Sequence, residues 1–152
     1  MSEEGRYRPA SLDDLSELSV LFDAYRQFYA CASDLAAARS WLSTNLSERR
    51  SVIFLAEDSD GVLLGFTQLY PALCSVDLVE YYVLYDLYVD QGARRQGLGR
   101  GLMAAAEQHA RSLGMARLDL ETAKDNAAAQ SLYHRLGFVR DDLFHKYSLE
   151  LA

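Results

Sequence analysis

The chain has 152 residues, 50% of them hydrophobic and 24% charged, the make-up of one ordinary globular domain rather than a disordered, fibrous or repeat protein. Its 22 acidic residues outnumber 15 basic ones, for a net charge of −7; this argues against nucleic acid as a partner, because neutralising phosphates needs a basic face. No apolar run approaches the roughly 20 residues of a membrane span, and the opening MSEEGRYRPA lacks the apolar core of a signal peptide, so a single domain, 1–152, is expected, cytoplasmic and without a membrane partner.

A short strand around Arg6–Pro9 leads into Ser11, a good N-cap, with Asp14 in place to close a capping box. Leu15, Leu18, Phe22, Tyr25 and Tyr29 then recur at helical spacing and predict one buried stripe. Ser33 is positioned to cap a second helix carrying Leu35, Ala38, Trp41 and Leu42. The period changes at Ser51: the apolar run 52–56, the turn Asp58-Ser59-Asp60-Gly61 and the run 62–70 predict a hairpin. A tyrosine-rich strand follows over 78–89. Strict alternation along it would put Tyr81 and Tyr85 on one face, and Tyr82 and Tyr88 on the other with Asp86. Beyond a glycine- and arginine-rich loop come a helix over 98–113 stopped by Gly114, a strand over 116–122, a helix capped by Asp125 or Asn126 and stopped by Gly137, and strands at 138–140 and 144–151. The order β-α-α-β-β-β-α-β-α-β-β predicts an α/β fold, a mixed sheet with helices on both faces.

Cys31 and Cys74 form no CxxC pair and read as buried small hydrophobes. His109, His134 and His145 have no metal-ligand spacing, so no metal is expected.

The segment Asp86-Leu87-Tyr88-Val89-Asp90-Gln91-Gly92-Ala93-Arg94-Arg95-Gln96-Gly97-Leu98-Gly99-Arg100-Gly101 carries the chemistry. A strand runs into a loop of arginines and glycines that opens a helix, and helix N-termini present free N–H groups and a positive dipole end to anions. Gly92 and Gly97 have P-loop spacing, but Leu98 and Gly99 stand where Lys and Ser/Thr are required. The dinucleotide pattern GxGxxG fails as well, because Leu102 occupies its last position. The pattern [QR]xxGx[GA] fits through Arg94, Gly97 and Gly99.

This segment resembles the acetyl-CoA-binding motif of the GNAT N-acetyltransferase superfamily, and Asn126-Ala127-Ala128-Ala129-Gln130-Ser131-Leu132-Tyr133-His134-Arg135-Leu136-Gly137-Phe138 resembles the family's NxxAxxLYxxxGF block. Two motifs in the right order, separated by a helix and a strand, make the resemblance specific. Gln91 replaces the usual proline. Arg95 replaces a glycine, so position 95 is expected to need no positive φ unless the loop bends differently.

The resemblance implies a central, mostly antiparallel sheet splayed between two parallel strands, and an enzyme using acetyl-CoA as cosubstrate. It assigns the pantetheine arm to the strand edge at Leu87, Tyr88 and Val89 and to Asn126. The pyrophosphate falls to the amides of Arg95, Gln96, Gly97, Leu98, Gly99 and Arg100, with Arg94 also assigned to the cofactor, and the acid near the thioester sulfur to Tyr133. Aminolysis of a thioester needs a neutral amine, and an alkyl amine has a pKa of about 10.4, so a base or a desolvating site must remove its proton. Asp86 and Glu121 are the candidate bases, with Glu80 further back and a water chain as the alternative. Tyr85 and Asp86 are candidates for binding the acceptor, since aromatic faces and acidic groups suit a protonated amine.

Among GNAT enzymes the chain is most similar to the diamine acetyltransferases and to a group acting on histones and polyamines. Where the diamine enzymes carry an acceptor-binding glutamate, this chain has Tyr85. A small polyamine-like amine, a protein lysine or N-terminus, an aminoglycoside and an amino acid therefore stay open as acceptors, beside a non-catalytic CoA-binding module as a reading of another class. Members of the superfamily often form homodimers through sheet edges or C-terminal strands, and the alternation of Phe144, Tyr147, Leu149 and Leu151 is compatible with that.

Overall fold

A computed structural model describes residues 6–152. Its elements are β1 (Arg6–Pro9), α1 (Leu15–Phe28), α2 (Leu35–Ser47), β2 (Val52–Glu57), β3 (Leu63–Cys74), β4 (Val79–Val89), α3 (Leu98–Ser112), β5 (Leu118–Leu120) and α4 (Ala127–Arg135). The five strands make one sheet in sequence order, antiparallel from β1 to β4 and parallel between β4 and β5. The chain separates into two compact units, one ending at Leu120 and the other spanning Glu121–Ala152.

In the first unit the apolar stripe of α1 packs on the sheet. Leu15, Leu18, Leu21 and Phe22 join Ala38 and Leu42 of α2, and Ile53, Leu55, Phe66 and Tyr88 of the strands, in one buried cluster. Tyr29, placed last in the predicted stripe, is exposed because α1 ends one residue earlier. The opposite face takes α3. A Cβ on Gly65 would approach a methyl of Leu102, and the ring of His109 lies 5.3 Å from Phe54. Gly101 lets α3 pass close over β1, since a Cβ there would fall 2.0 Å from the Tyr7 hydroxyl.

The predicted caps are largely found. Ser11 and Asp14 close a capping box on the turn that enters α1, and Asp14 also accepts two hydrogen bonds from Arg8 at 2.7 and 2.9 Å. Arg8 and Arg6 in turn pair with the buried carboxylate of Glu57. The cap of α2 is Asp34 rather than Ser33, its carboxylate accepting the N–H of Ala37. Ser33 instead donates at 2.7 Å to Asp23, which also accepts the N–H of Asp34. This clamp holds the α1–α2 connection and keeps the Asp23 carboxyl below the usual range, chiefly through the Ser33 bond.

Other expectations are corrected. Cys31 is exposed in the loop after α1 and Cys74 half-buried at the end of β3, because both follow the last packed turn or rung of their elements. The strand predicted over 116–122 narrows to Leu118–Leu120, the residues that find partners on β4. In the second unit Asn126 caps α4, Leu136 ends it and Gly137 follows with φ 95°. Residues 138–140 and 144–151 form no strand among the described residues, and Phe144, Tyr147, Leu149 and Leu151 are exposed. Alternation supplies a strand's side chains, but without a neighbouring strand to take its N–H and C=O groups no ladder forms.

Candidate active site

The decisive feature of β4 is an irregularity. Gln68 of β3 faces Asp86, but the next β3 residue, Leu69, faces Leu84. Tyr85 is therefore the extra residue of a β-bulge, which interrupts the alternation of faces. Tyr88 and Asp86 lie on the α1 side, where Tyr88 packs against Tyr25 and Phe28. Tyr82, beyond the bulge, packs against His109 of α3 on the opposite side. The expected grouping of Tyr82 with Tyr88 and Asp86 thus fails, because one inserted residue reverses the period. Tyr85 is 68% exposed, its ring 5.6 Å from Tyr70.

The same place marks a split in the sheet. The last parallel pair is Leu84 with Leu120, and β4 runs on to Val89 with no β5 residue beside it. The edge of Leu87, Tyr88 and Val89 that faces away from β3 is left without a strand partner among the described residues.

Asp86 sits at this split, 7% exposed. The Tyr25 hydroxyl donates to its Oδ1 at 2.8 Å and Gln68 Nε2 to its Oδ2 at 2.9 Å. Burial raises its pKa above the usual carboxylate range against the opposing pull of those two donors. Burial likewise drives the Tyr25 phenol strongly upward, helped by the Asp86 charge. Behind Gln68 the polar chain continues: Asn45 Nδ2 and Ser51 Oγ both donate to Gln68 Oε1, at 3.0 and 2.7 Å. Asn45 Nδ2 also reaches the Tyr70 hydroxyl, which accepts from Trp41 Nε1 as well, both at 3.3 Å. Sequence reasoning placed Tyr25 in an apolar stripe and gave no role to Asn45, Ser51 or Gln68. The available signal was polar residues at positions whose neighbours were apolar: Asn45 in the stripe of α2 and Gln68 in an apolar strand.

After β4 a short turn, Gln91–Ala93, leads into the arginines. Arg94 folds back, its Nε donating to the Val89 carbonyl at 3.1 Å and its guanidinium lying over the rings of Phe28 and Tyr88. Arg95 has φ 67° and Gly97 φ 77°. The expectation for position 95 is therefore corrected: the loop keeps its left-handed turn there, and an arginine bears it. Gly97 is the N-cap of α3, with no side chain bonded to the helix end and no acidic residue in the first turn. The first helical bond runs from Gly101 N–H to Gly97 carbonyl, so the N–H groups of Leu98, Gly99 and Arg100 lie ahead of it. Gln96 and Arg100 are exposed, while the Leu98 side chain is buried and anchors the turn. An open cleft of about 400 Å³ lies beside this loop, lined by Ala24, Gln27, Phe28, Tyr88, Asp90 and Gln91.

The remaining predicted residues belong to the second unit. Glu121 is exposed and lies one residue past β5 rather than within a strand. Asn126 uses its side-chain oxygen to cap α4, accepting the Ala129 N–H at 3.2 Å. Tyr133 is half-buried on α4, its ring 5.9 Å from Phe138.

The sequence matches the acetyltransferase (GNAT) family over residues 17–138. The chain belongs to the GNAT family and is an acetyltransferase. It is 40% identical over 144 residues to the uncharacterized N-acetyltransferase YhfO of Bacillus subtilis, covering 95% of this chain and 96% of that one. A mycothiol acetyltransferase of Salinispora tropica is 33% identical over 94% of this chain, which spans 46% of that longer protein. Among solved structures, a probable acetyltransferase superposes with a TM-score of 0.90 at 38% identity, covering 97% of this chain and 98% of that one.

GNAT acetyltransferases use acetyl-CoA, and the residues present fit it. The N–H groups opening α3, with no carboxylate among them and Arg95 and Arg100 at the surface, suit a pyrophosphate. The edge of β4 beyond Leu84 suits the amides of a pantetheine arm.

Proposed function

We propose that this GNAT acetyltransferase acetylates the primary amine of a small, cationic, polyamine-like acceptor by direct attack, with no covalent enzyme intermediate. Bound acetyl-CoA supplies an activated thioester. The rest is the work of the chain. N–H groups along Leu87–Val89 hold the thioester-bearing arm and offer hydrogen bonds to charge developing on oxygen. Asp86 takes the proton from the incoming ammonium. Tyr133 returns one to the leaving sulfur, a role that rests on the motif around Asn126.

The observation that carries this reading is Asp86: a buried carboxylate of raised proton affinity, set by the bulge at the split edge of β4. The exposed aromatic surface of Tyr85, Trp41 and half-buried Tyr70 adjoins it, and aromatic faces beside an acid favour a protonated amine. The net charge of −7 favours the same class.

The test is CoA-thiol release from acetyl-CoA with spermidine, putrescine, lysine, an aminoglycoside, a cysteinyl amine and a basic peptide, with wild type beside Tyr133→Phe. Turnover is expected with the polyamines, cut at least about tenfold in the variant. Preference for the peptide would move the acceptor to a protein lysine or N-terminus. CoA binding without turnover on any amine would support a binding module instead.

A further inference from the structure

Gln68 is a glutamine in the middle of a sheet, 0% exposed, and every polar atom of its side chain is bonded. A side-chain amide can face either way, and here an acceptor-only carboxylate in front and two donors behind agree on one direction. Asn45 Nδ2 can only donate, and it points at Gln68 Oε1 at 3.0 Å; Ser51 Oγ adds a second donor at 2.7 Å. With the oxygen held by two donors, Nε2 must face Asp86, where it donates to Oδ2 at 2.9 Å. The opposite orientation would set a carbonyl oxygen against the carboxylate. Asn45 is itself fully buried on α2, and its Oδ1 has no partner among the described residues.

We infer that Gln68 is a positioning residue for the Asp86 carboxylate, its amide braced in that direction by Asn45 on α2 and by Ser51. The inference rests on the reading of Asp86 as the base. The titratable groups around Asp86 are the phenols of Tyr25 from α1, Tyr70 from β3 and Tyr85 from β4, and burial pushes those of Tyr25 and Tyr70 up, away from the carboxylate range. Loss of the Gln68 donor therefore acts on Asp86 alone.

The experiment is a carbon-detected NMR titration of the Asp86 carboxylate in the full chain, with kcat and KM measured against pH in parallel. In wild type the Gln68 side-chain N–H signals should titrate with the same midpoint as Asp86, a result that needs no variant. Gln68→Met should raise that midpoint by about one to two pH units, the size of one hydrogen bond to a charged group. Asn45→Leu, which leaves only the two-way hydroxyl of Ser51 on the amide, should raise it less. The acidic limb of kcat should move with the midpoint, and KM for acetyl-CoA should stay within about twofold. A Gln68 signal that does not titrate with Asp86, or a midpoint unmoved in Gln68→Met, overturns the inference. A midpoint that moves while the rate profile stays put leaves the positioning intact and removes Asp86 as the base.

Discussion

Asp86→Asn separates chemistry from folding, because the structure says how an amide would fit. Gln68 Nε2 would still donate to the new Oδ1, and the Tyr25 hydroxyl, which now donates to Asp86, can turn to accept from the new Nδ2. The Tyr25 O–H gives up its acceptor in that exchange, so the hydrogen-bond loss should be about 1–2 kcal/mol. The charge works in the variant's favour. Burial raises the folded-state pKa of Asp86, so its contribution to stability is complete below the unfolded value near 3.9 and is lost as pH rises through the folded value. At neutral pH the ionised group costs stability, and the neutral amide removes that cost. The expectation is a melting temperature close to wild type. Turnover should nevertheless fall by about a hundred- to ten-thousand-fold, the usual worth of a positioned base, and the acidic limb of the pH–rate profile should vanish. Thermal melts and CoA-thiol release at saturating amine decide it. Activity within threefold of wild type would refute the role of Asp86; normal chemistry with a severe loss of stability would refute the hydrogen-bond reasoning as well.

Three further outcomes follow from named geometry. Arg95 adopts φ 67°, so Arg95→Gly should be more stable than Arg95→Val by about 1–2 kcal/mol in urea unfolding, and equal stabilities would mean the left-handed turn is absent. Gly101→Ala places a Cβ 2.0 Å from the Tyr7 hydroxyl and should cost about 1–3 kcal/mol, with a double-mutant cycle through Tyr7→Ala recovering part of it. Asp14 is held below the usual carboxylate range, chiefly by its hydrogen bond from Arg8. Its stabilisation is present above about pH 4 and lost as pH falls, so Arg8→Met should flatten the acid side of the stability curve measured by chemical denaturation.

Local chemistry was legible residue by residue. The capping box at Ser11 and Asp14, the stripe of α1, the turn at Asp58–Gly61, and Asn126 and Gly137 at the ends of α4 all appear where spacing and turn residues placed them. The two segments that resemble family motifs were legible too, because each is a run of residue types at fixed spacing beside a helix start. The illegible parts depended on partners distant in sequence. Ser33 lost its cap to Asp34 because Asp23 claims its hydroxyl across the helix connection. The segment 144–151 has the alternation of a strand, yet alternation says nothing about whether a neighbour is there to pair with it.

The sequence by itself offered the resemblance to the family, through two motifs in order, together with the glycine–arginine loop and the acids and tyrosines from which a site could be assembled. Only the tertiary structure decided what surrounds Asp86. The bulge at Tyr85 is a mismatch between two strands and belongs to neither alone. The bonds to Asp86 come from Tyr25 and Gln68, 61 and 18 residues away. A carboxylate's proton affinity is set by what surrounds it in space, and folding is what brings those surroundings together.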